Sequence, residues 1–164
     1  MRRSLGEGLE LDDDPGRVDI AAVHRFIAEE SYWAPGRDYG LQERLVREAS
    51  RVVGLYDEQA QIGFCRAVTC SGLPFVYLAD VYVLAAYRGR GLGVELVREM
   101  VEHGRYRDEG WMLHTGDAHE LYRRFGFKAP GWRTMVRPPP AGGVAPGGHA
   151  QPRGGGGGEA AGPG

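Results

Sequence analysis

The sequence predicts an α/β domain built on a mixed sheet, and three observations carry that prediction. An apolar run at 75–84 shows no alternation, as expected of a central strand buried on both faces. It leads to a glycine-rich turn, Arg88-Gly89-Arg90-Gly91-Leu92-Gly93, after which a helical stripe of Val94, Val97 and Val101 begins at once. Strand-like and helix-like periods alternate through the remainder of residues 16–137.

Taken in order, Asp19 is placed to cap a helix in which Ile20, Val23 and Ile27 recur at helical spacing, with Phe26 beside them. The Tyr32-Trp33-Ala34-Pro35-Gly36 loop ends it. A second helix is predicted over 41–50, with Leu41, Leu45 and Ala49 as its apolar stripe. A strand over 51–56, a turn at 57–59 and a strand over 61–69 follow, the latter alternating Ile62, Phe64 and Val68 with Gly63, Cys65 and Ala67. Beyond the turn at 71–74 come the central strand and the helix already described. A strand at 110–114, a short helix capped by Asp117 and ended by Gly126, and a last strand at 132–136 complete the order.

Composition sets the limits. A chain of 164 residues with 42% hydrophobic residues suffices for one domain with a core. Residues 1–15, acidic and polar after a short basic start, are expected to be flexible. The Pro- and Gly-rich segment 138–164 has almost no apolar surface to offset its ordering entropy and is expected to be disordered. A net charge of −2 gives no basic surplus for nucleic acid, and no apolar stretch suits a membrane span or a secretory signal. Cys65 and Cys70 lie in or beside one strand on opposite faces, so reduced thiols in a cytoplasmic protein are expected. His114 and His119 lack partners at metal spacing, and no metal is expected.

The turn at 88–93 points to chemistry. Its three glycines allow a sharp turn and close backbone approach, and the first helical turn after it leaves unpaired N–H groups at the positive end of the dipole. Arg88 and Arg90 add charge, so the turn suits phosphate oxygens. A glycine-rich connection that binds nothing would look similar. The turn has neither the lysine ending of the P-loop nor the Rossmann spacing.

Val83-Leu84-Ala85-Ala86-Tyr87-Arg88-Gly89-Arg90-Gly91-Leu92-Gly93 resembles the acetyl-CoA signature of the GNAT superfamily of acetyltransferases. A second block, Ala118-His119-Glu120-Leu121-Tyr122-Arg123-Arg124-Phe125-Gly126-Phe127, resembles the later helix and strand of that family. The resemblance implies a GNAT-like fold, mostly antiparallel, splayed at the acetyl-CoA site and flanked by about four helices. It further implies that Arg88, Gly89, Arg90, Gly91, Leu92 and Gly93 hold the coenzyme A pyrophosphate. The backbone of Val81 and Val83 would pair with the pantetheine arm, with Thr115 and Ala118 also lining the coenzyme. Tyr122 matches the tyrosine that protonates the leaving thiolate in many relatives, although a core tyrosine would show the same spacing.

Three positions depart from relatives. Thr115 stands where many have Asn, Tyr77 where histone acetyltransferases have a basic glutamate, and Ala79 where polyamine enzymes have a glutamate beside the aspartate matched by Asp80. Asp80, a carboxylate inside an apolar strand, must be paired or bonded. It either receives the acceptor amine and helps remove its proton, or bonds a backbone N–H or an arginine. Tyr32 and Trp33 are candidate acceptor-pocket residues. The expected activity is acetyl-CoA-dependent N-acetylation of a primary amine, with a small molecule as partner and a homodimer compatible with it. A protein amino-group acetyltransferase and a non-catalytic coenzyme A-binding protein are the alternatives.

Overall fold

The computed structural model describes residues 1–69, 72–132 and 134–137. Six strands form one mixed sheet in the spatial order β1-β2-β3-β4-β5-β6, where β1 is Arg2–Gly6, β2 Leu9–Asp12, β3 Arg51–Asp57, β4 Ala60–Val68, β5 Val76–Val83 and β6 Trp111–Met112. All pairings are antiparallel except that of β5 with β6. Four helices flank it: α1 (Ile20–Arg25), α2 (Tyr39–Arg47), α3 (Leu92–Glu102) and α4 (His119–Arg123). The α/β class read from the sequence is the one observed.

Helices cover both faces, which gives two cores. On one face Leu96, Val97 and Met100 of α3 and Tyr122 of α4 pack with Leu9, Leu11, Val53, Leu55, Cys65 and Leu78. On the other, Val23, Phe26, Ile27 and Val46 pack with Val52, Phe64 and Tyr82, and the rings of Phe26 and Tyr82 stack at 3.9 Å. Asp19 caps α1 as expected, its side chain accepting the Ala22 N–H at 2.9 Å. The helix then widens into a π turn, Phe26–Glu30, that carries Phe26 and Ile27 into the core.

Five local expectations are corrected. Residues 2–12 are not loose but form the β1–β2 hairpin: Leu9 and Leu11 fill the core, while polar neighbours pair across the strands, as Arg2 does with Glu10 at 2.8 Å. Helix α2 starts at Tyr39 under an Asp38 cap, and it buries Gln42 and Val46 rather than the predicted leucine stripe. Leu41 and Leu45 instead line a cleft. The strand expected at 110–114 pairs only at Trp111–Met112. Asp117 does not cap α4: the N-cap is Ala118, with no side-chain bond to the helix amides, and the Thr115 hydroxyl only accepts the Ala118 N–H at 3.1 Å in the turn before it. No strand forms among the described residues of 132–136, where Trp132, Met135 and Val136 are exposed. Cys70, part of the turn at 71–74 and the 138–164 tail lie outside the described residues.

Arg51 joins sheet to helix. Its guanidinium donates to the carbonyls of Glu99, Met100 and His103 at 2.8, 3.1 and 2.8 Å, and to the Glu99 carboxylate at 3.2 Å. It thereby satisfies carbonyls that the end of α3 leaves without helical partners. Gly104 closes this end with φ +77°, and a Cβ there would sit 2.7 Å from the Arg51 side chain.

Candidate active site

A single 3₁₀ turn, Ala85–Tyr87, links the end of β5 to the glycine turn. Gly91 occupies the N-cap of α3 at φ 79°, a left-handed conformation that offers no side-chain oxygen to the helix amides. Among the described residues the N–H groups of 89–93 meet no protein acceptor, and Val94 and Glu95 are the first to bond, both to the Gly91 carbonyl. The turn therefore presents a row of unspent donors at a helix start, which fits an anionic phosphate group. Arg88 is partly committed, its Nε donating to the Val83 carbonyl at 2.9 Å, and the Arg90 guanidinium lies over the Tyr87 ring at 5.8 Å.

Strand β5 leaves β6 early. They pair only at Val76–Trp111 and Tyr77–Met112, after which β5 runs on alone to Val83 on that side. The Leu84 N–H reaches back to the Ile62 carbonyl of β4 at 2.8 Å, so by strand alternation the main-chain groups of Val83 face the open side, while Val81 lies at the bulge and lines the cleft. The sheet is splayed, and an extended ligand can add there as a strand.

The splay opens into a cleft of about 680 Å³. Val81, Thr115, Ala118, Tyr122, Asp80, Tyr32 and Trp33 all line it, so these predicted residues converge, while the turn at 88–93 stands at the far end of β5. Tyr122 is 8% exposed, packed edge-on to Phe127, and burial pushes its phenol well above the ordinary tyrosine range. The Tyr32 phenol accepts the Gly116 N–H at 2.9 Å and donates to Asp117 at 3.1 Å, tying the first loop to the start of α4. Cys65 is fully buried and its thiol is pushed up by that burial, so it does not suit a nucleophile.

Asp80 sits at a β-bulge, where Phe64 opposes Tyr82 but Arg66 opposes Ala79, and it adopts φ 51°. Arg66 Nε donates to Oδ2 at 2.6 Å, and one Arg37 terminal nitrogen lies 3.0 Å from both carboxylate oxygens. Trp33 Nε1 adds a contact at 3.4 Å. Burial alone would raise this carboxyl, but the charges and hydrogen bonds of Arg66 and Arg37 outweigh it and hold it below the usual range. Of the protein partners expected for Asp80 from the sequence, arginine is the one observed.

Sequence reasoning did not single out Arg37 or Arg66, and weighed His114 only as a metal ligand. Arg66 gave a signal: a charge within the apolar alternation of one strand, with Asp80 the lone acid of the next. Arg37, in a loop, gave none; the His24 ring holds its carbonyl at 2.8 Å and so sets its position. His114 faces the cleft with Nδ1 2.8 Å from the Tyr77 hydroxyl. Among the described residues there is no cluster of ligands for a metal and no helix long and apolar enough to cross a membrane.

Comparison with known proteins gives this geometry its relatives. Residues 48–129, half of the chain, match the family model described as the acetyltransferase (GNAT) domain. A structure from Xanthomonas campestris pv. campestris, described as a GNAT-family acetyltransferase candidate, is similar at 30% identity and TM-score 0.73, covering 80% of this chain and 94% of that one. A GNAT acetyltransferase from Brucella melitensis in complex with acetyl-CoA has 20% identity and TM-score 0.60, over 76% of this chain and 85% of its own. A Clostridium acetobutylicum structure described as a predicted acetyltransferase with acetyl-CoA has 12% identity and TM-score 0.61, over 79% and 96%. A search of curated proteins found no match. With the domain model across half its length, a 30% identical relative across most of it, and the splayed sheet between, the chain belongs to the GNAT acetyltransferase family.

Proposed function

We propose that the protein transfers an acetyl group from acetyl-CoA to a primary amine of a small molecule, by direct attack while both are bound. The observation that carries this reading is the cleft at the splay, enclosed by Tyr32 and Trp33 and reaching Tyr122. An aromatic, partly closed pocket suits a small acceptor better than a protein tail, which would need an open groove.

Acetyl-CoA supplies an activated thioester whose carbonyl carbon gains a bond to nitrogen as its bond to sulfur breaks. The amides of 89–93 and the side chain of Arg90 hold the pyrophosphate, and the main chain of Val81 and Val83 holds the pantetheine arm. Ala118 and Thr115 line the other side of that arm. The Val81 N–H, beside the cleft, is the donor assigned to polarise the thioester carbonyl oxygen. Tyr122, kept protonated by burial, gives its proton to the departing sulfur. Asp80 is engaged by two guanidinium groups, so in this reading it positions Arg37 and Arg66 rather than taking a proton. His114 is assigned that part: its Nδ1 shares a hydrogen bond with the Tyr77 hydroxyl at 2.8 Å, and in the tautomer whose Nδ1–H donates, Nε2 is the acceptor for the proton lost by the amine. Proximity within one cleft provides much of the rate.

The test is free-thiol release from acetyl-CoA across a panel of amines. Release with at least one small amine supports the reading. Acetyl-CoA binding without release for any amine would identify a non-catalytic coenzyme A protein, and release only with protein lysines or N-termini would move the acceptor to protein.

A further inference from the structure

The arginines around Asp80 carry more charge and more donors than Asp80 can use. Arg66 contributes its Nε to the carboxylate, at 2.6 Å. Arg37 contributes one terminal nitrogen, which also meets the Gln42 Oε1 at 2.8 Å. Among the described residues no protein acceptor takes either terminal nitrogen of Arg66, or the Nε and second terminal nitrogen of Arg37. Both side chains are largely buried, 9% and 13% exposed, yet both line the cleft. A guanidinium stays charged and carries five donors in a planar fork, so donors left over in a sheltered place favour a planar oxyanion.

The rest of the cleft gives this charge a direction. Trp33 leans on Asp80, while its neighbour Tyr32 reaches Asp117, directly before the helix that carries Tyr122. The cleft thus has a guanidinium region around Asp80 and, by Tyr122, a region with Asp117 and His114. Trp33, Leu41 and Leu45 supply apolar wall.

We infer that the acceptor is an amino carboxylic acid: its carboxylate is received by Arg66 and Arg37, and its amine lies toward Tyr122. Only the fate of the amine rests on the acetyltransferase reading; the carboxylate site stands on the arginine geometry. A polyamine would bring ammonium groups to a region already one positive charge in excess, and is disfavoured by like-charge repulsion.

The experiment pairs amines that differ in the acid alone: L-phenylalanine with its amide, L-leucine with leucinamide, and γ-aminobutyrate with butylamine, with spermidine as the polycation. Their different amine-to-carboxylate spans sample the length of the cleft. The wild-type chain is expected to favour at least one acid over its partner by about tenfold or more in kcat/KM. Arg66→Gln should level that pair through KM with acetyl-CoA affinity kept. Arg66→Lys retains the pairing with Asp80 but loses the fork, and should fall between.

Calorimetric titration of the same acids and of N-acetyl-L-phenylalanine into the chain with coenzyme A reads the carboxylate site without turnover. Binding of an acid, weakened in Arg66→Gln and Arg66→Lys, upholds the site even if no amine releases thiol, an outcome that would sink the acetyltransferase reading alone. Preference for the amides or for spermidine, acid binding that is undetectable, or Arg66 variants that affect acids and amides alike, would overturn the inference.

Discussion

Arg66 on β4 and Asp80 on β5 meet across a β-bulge with Nε and Oδ2 2.6 Å apart, beneath the cleft that serves as the candidate active site. The bulge turns Asp80 to φ 51°, a conformation that aspartate tolerates better than most residues, and the ion pair gives that turn its purpose. Arg37 arrives from the loop after α1, so one carboxylate binds two strands and a loop into a single floor.

Asp80→Asn leaves two sheltered guanidinium groups without a counter-charge, and is expected to cost roughly 3–5 kcal/mol of folding stability. The same group sets an acid dependence. Its carboxyl is held below the unfolded value of 3.8, so its contribution is fully present above that pH and is lost as pH falls through the lower folded value. Urea unfolding of wild type and Asp80→Asn at neutral pH and near pH 3 checks both effects. The gap between the two proteins should narrow in acid; a constant gap would contradict the pairing.

Tyr122→Phe removes one hydroxyl from a side chain that otherwise packs as an aromatic. Turnover is expected to fall by about 10²–10⁴-fold, the usual worth of a placed general acid. Calorimetry should find acetyl-CoA affinity and the unfolding midpoint little changed. A near-normal kcat would remove Tyr122 from the mechanism.

Gly91→Ala places a Cβ on a residue at φ 79°. No heavy atom lies near enough to clash, so the cost is conformational, about 1–2 kcal/mol. If the chain escapes that cost by turning the amides of 89–93 away, affinity for coenzyme A should drop by about tenfold, since each ~1.4 kcal/mol is a factor of ten. Titration with coenzyme A measures it, and unchanged affinity would separate this turn from the ligand.

Arg51→Met strips the end of α3 of its guanidinium and leaves the buried Glu99 carboxylate with Arg3 alone, at 2.8 Å. A loss of roughly 3–5 kcal/mol is expected, as for breaking other buried pairs. A shift in the urea midpoint at constant slope is the readout, with coenzyme affinity retained because the helix start is untouched.

The parts of the fold legible in the sequence were those written in local chemistry. Asp19 declared a helix start, and the glycine turn followed by Val94, Val97 and Val101 declared another. The hairpin at 2–12 was hidden because only Leu5, Leu9 and Leu11 alternate in it, the remaining partners being charged pairs that read as solvent-loving. Helix α2 was placed well but turned wrongly: Leu41 and Leu45 look like core on a helical wheel, and only the third dimension shows a cleft there. The candidate site was legible where spacing is short, as at 88–93 and around Tyr122. Arg37 was illegible because its meeting with Asp80, 43 residues away, is a product of packing.

The Tyr32 phenol holds both banks of the cleft by two ordinary hydrogen bonds, to Gly116 and Asp117, each worth about 1 kcal/mol net. A change at position 32 therefore reaches the segment leading into the helix that carries Tyr122, so the acceptor side of the cleft and the group assigned to the departing sulfur are mechanically joined.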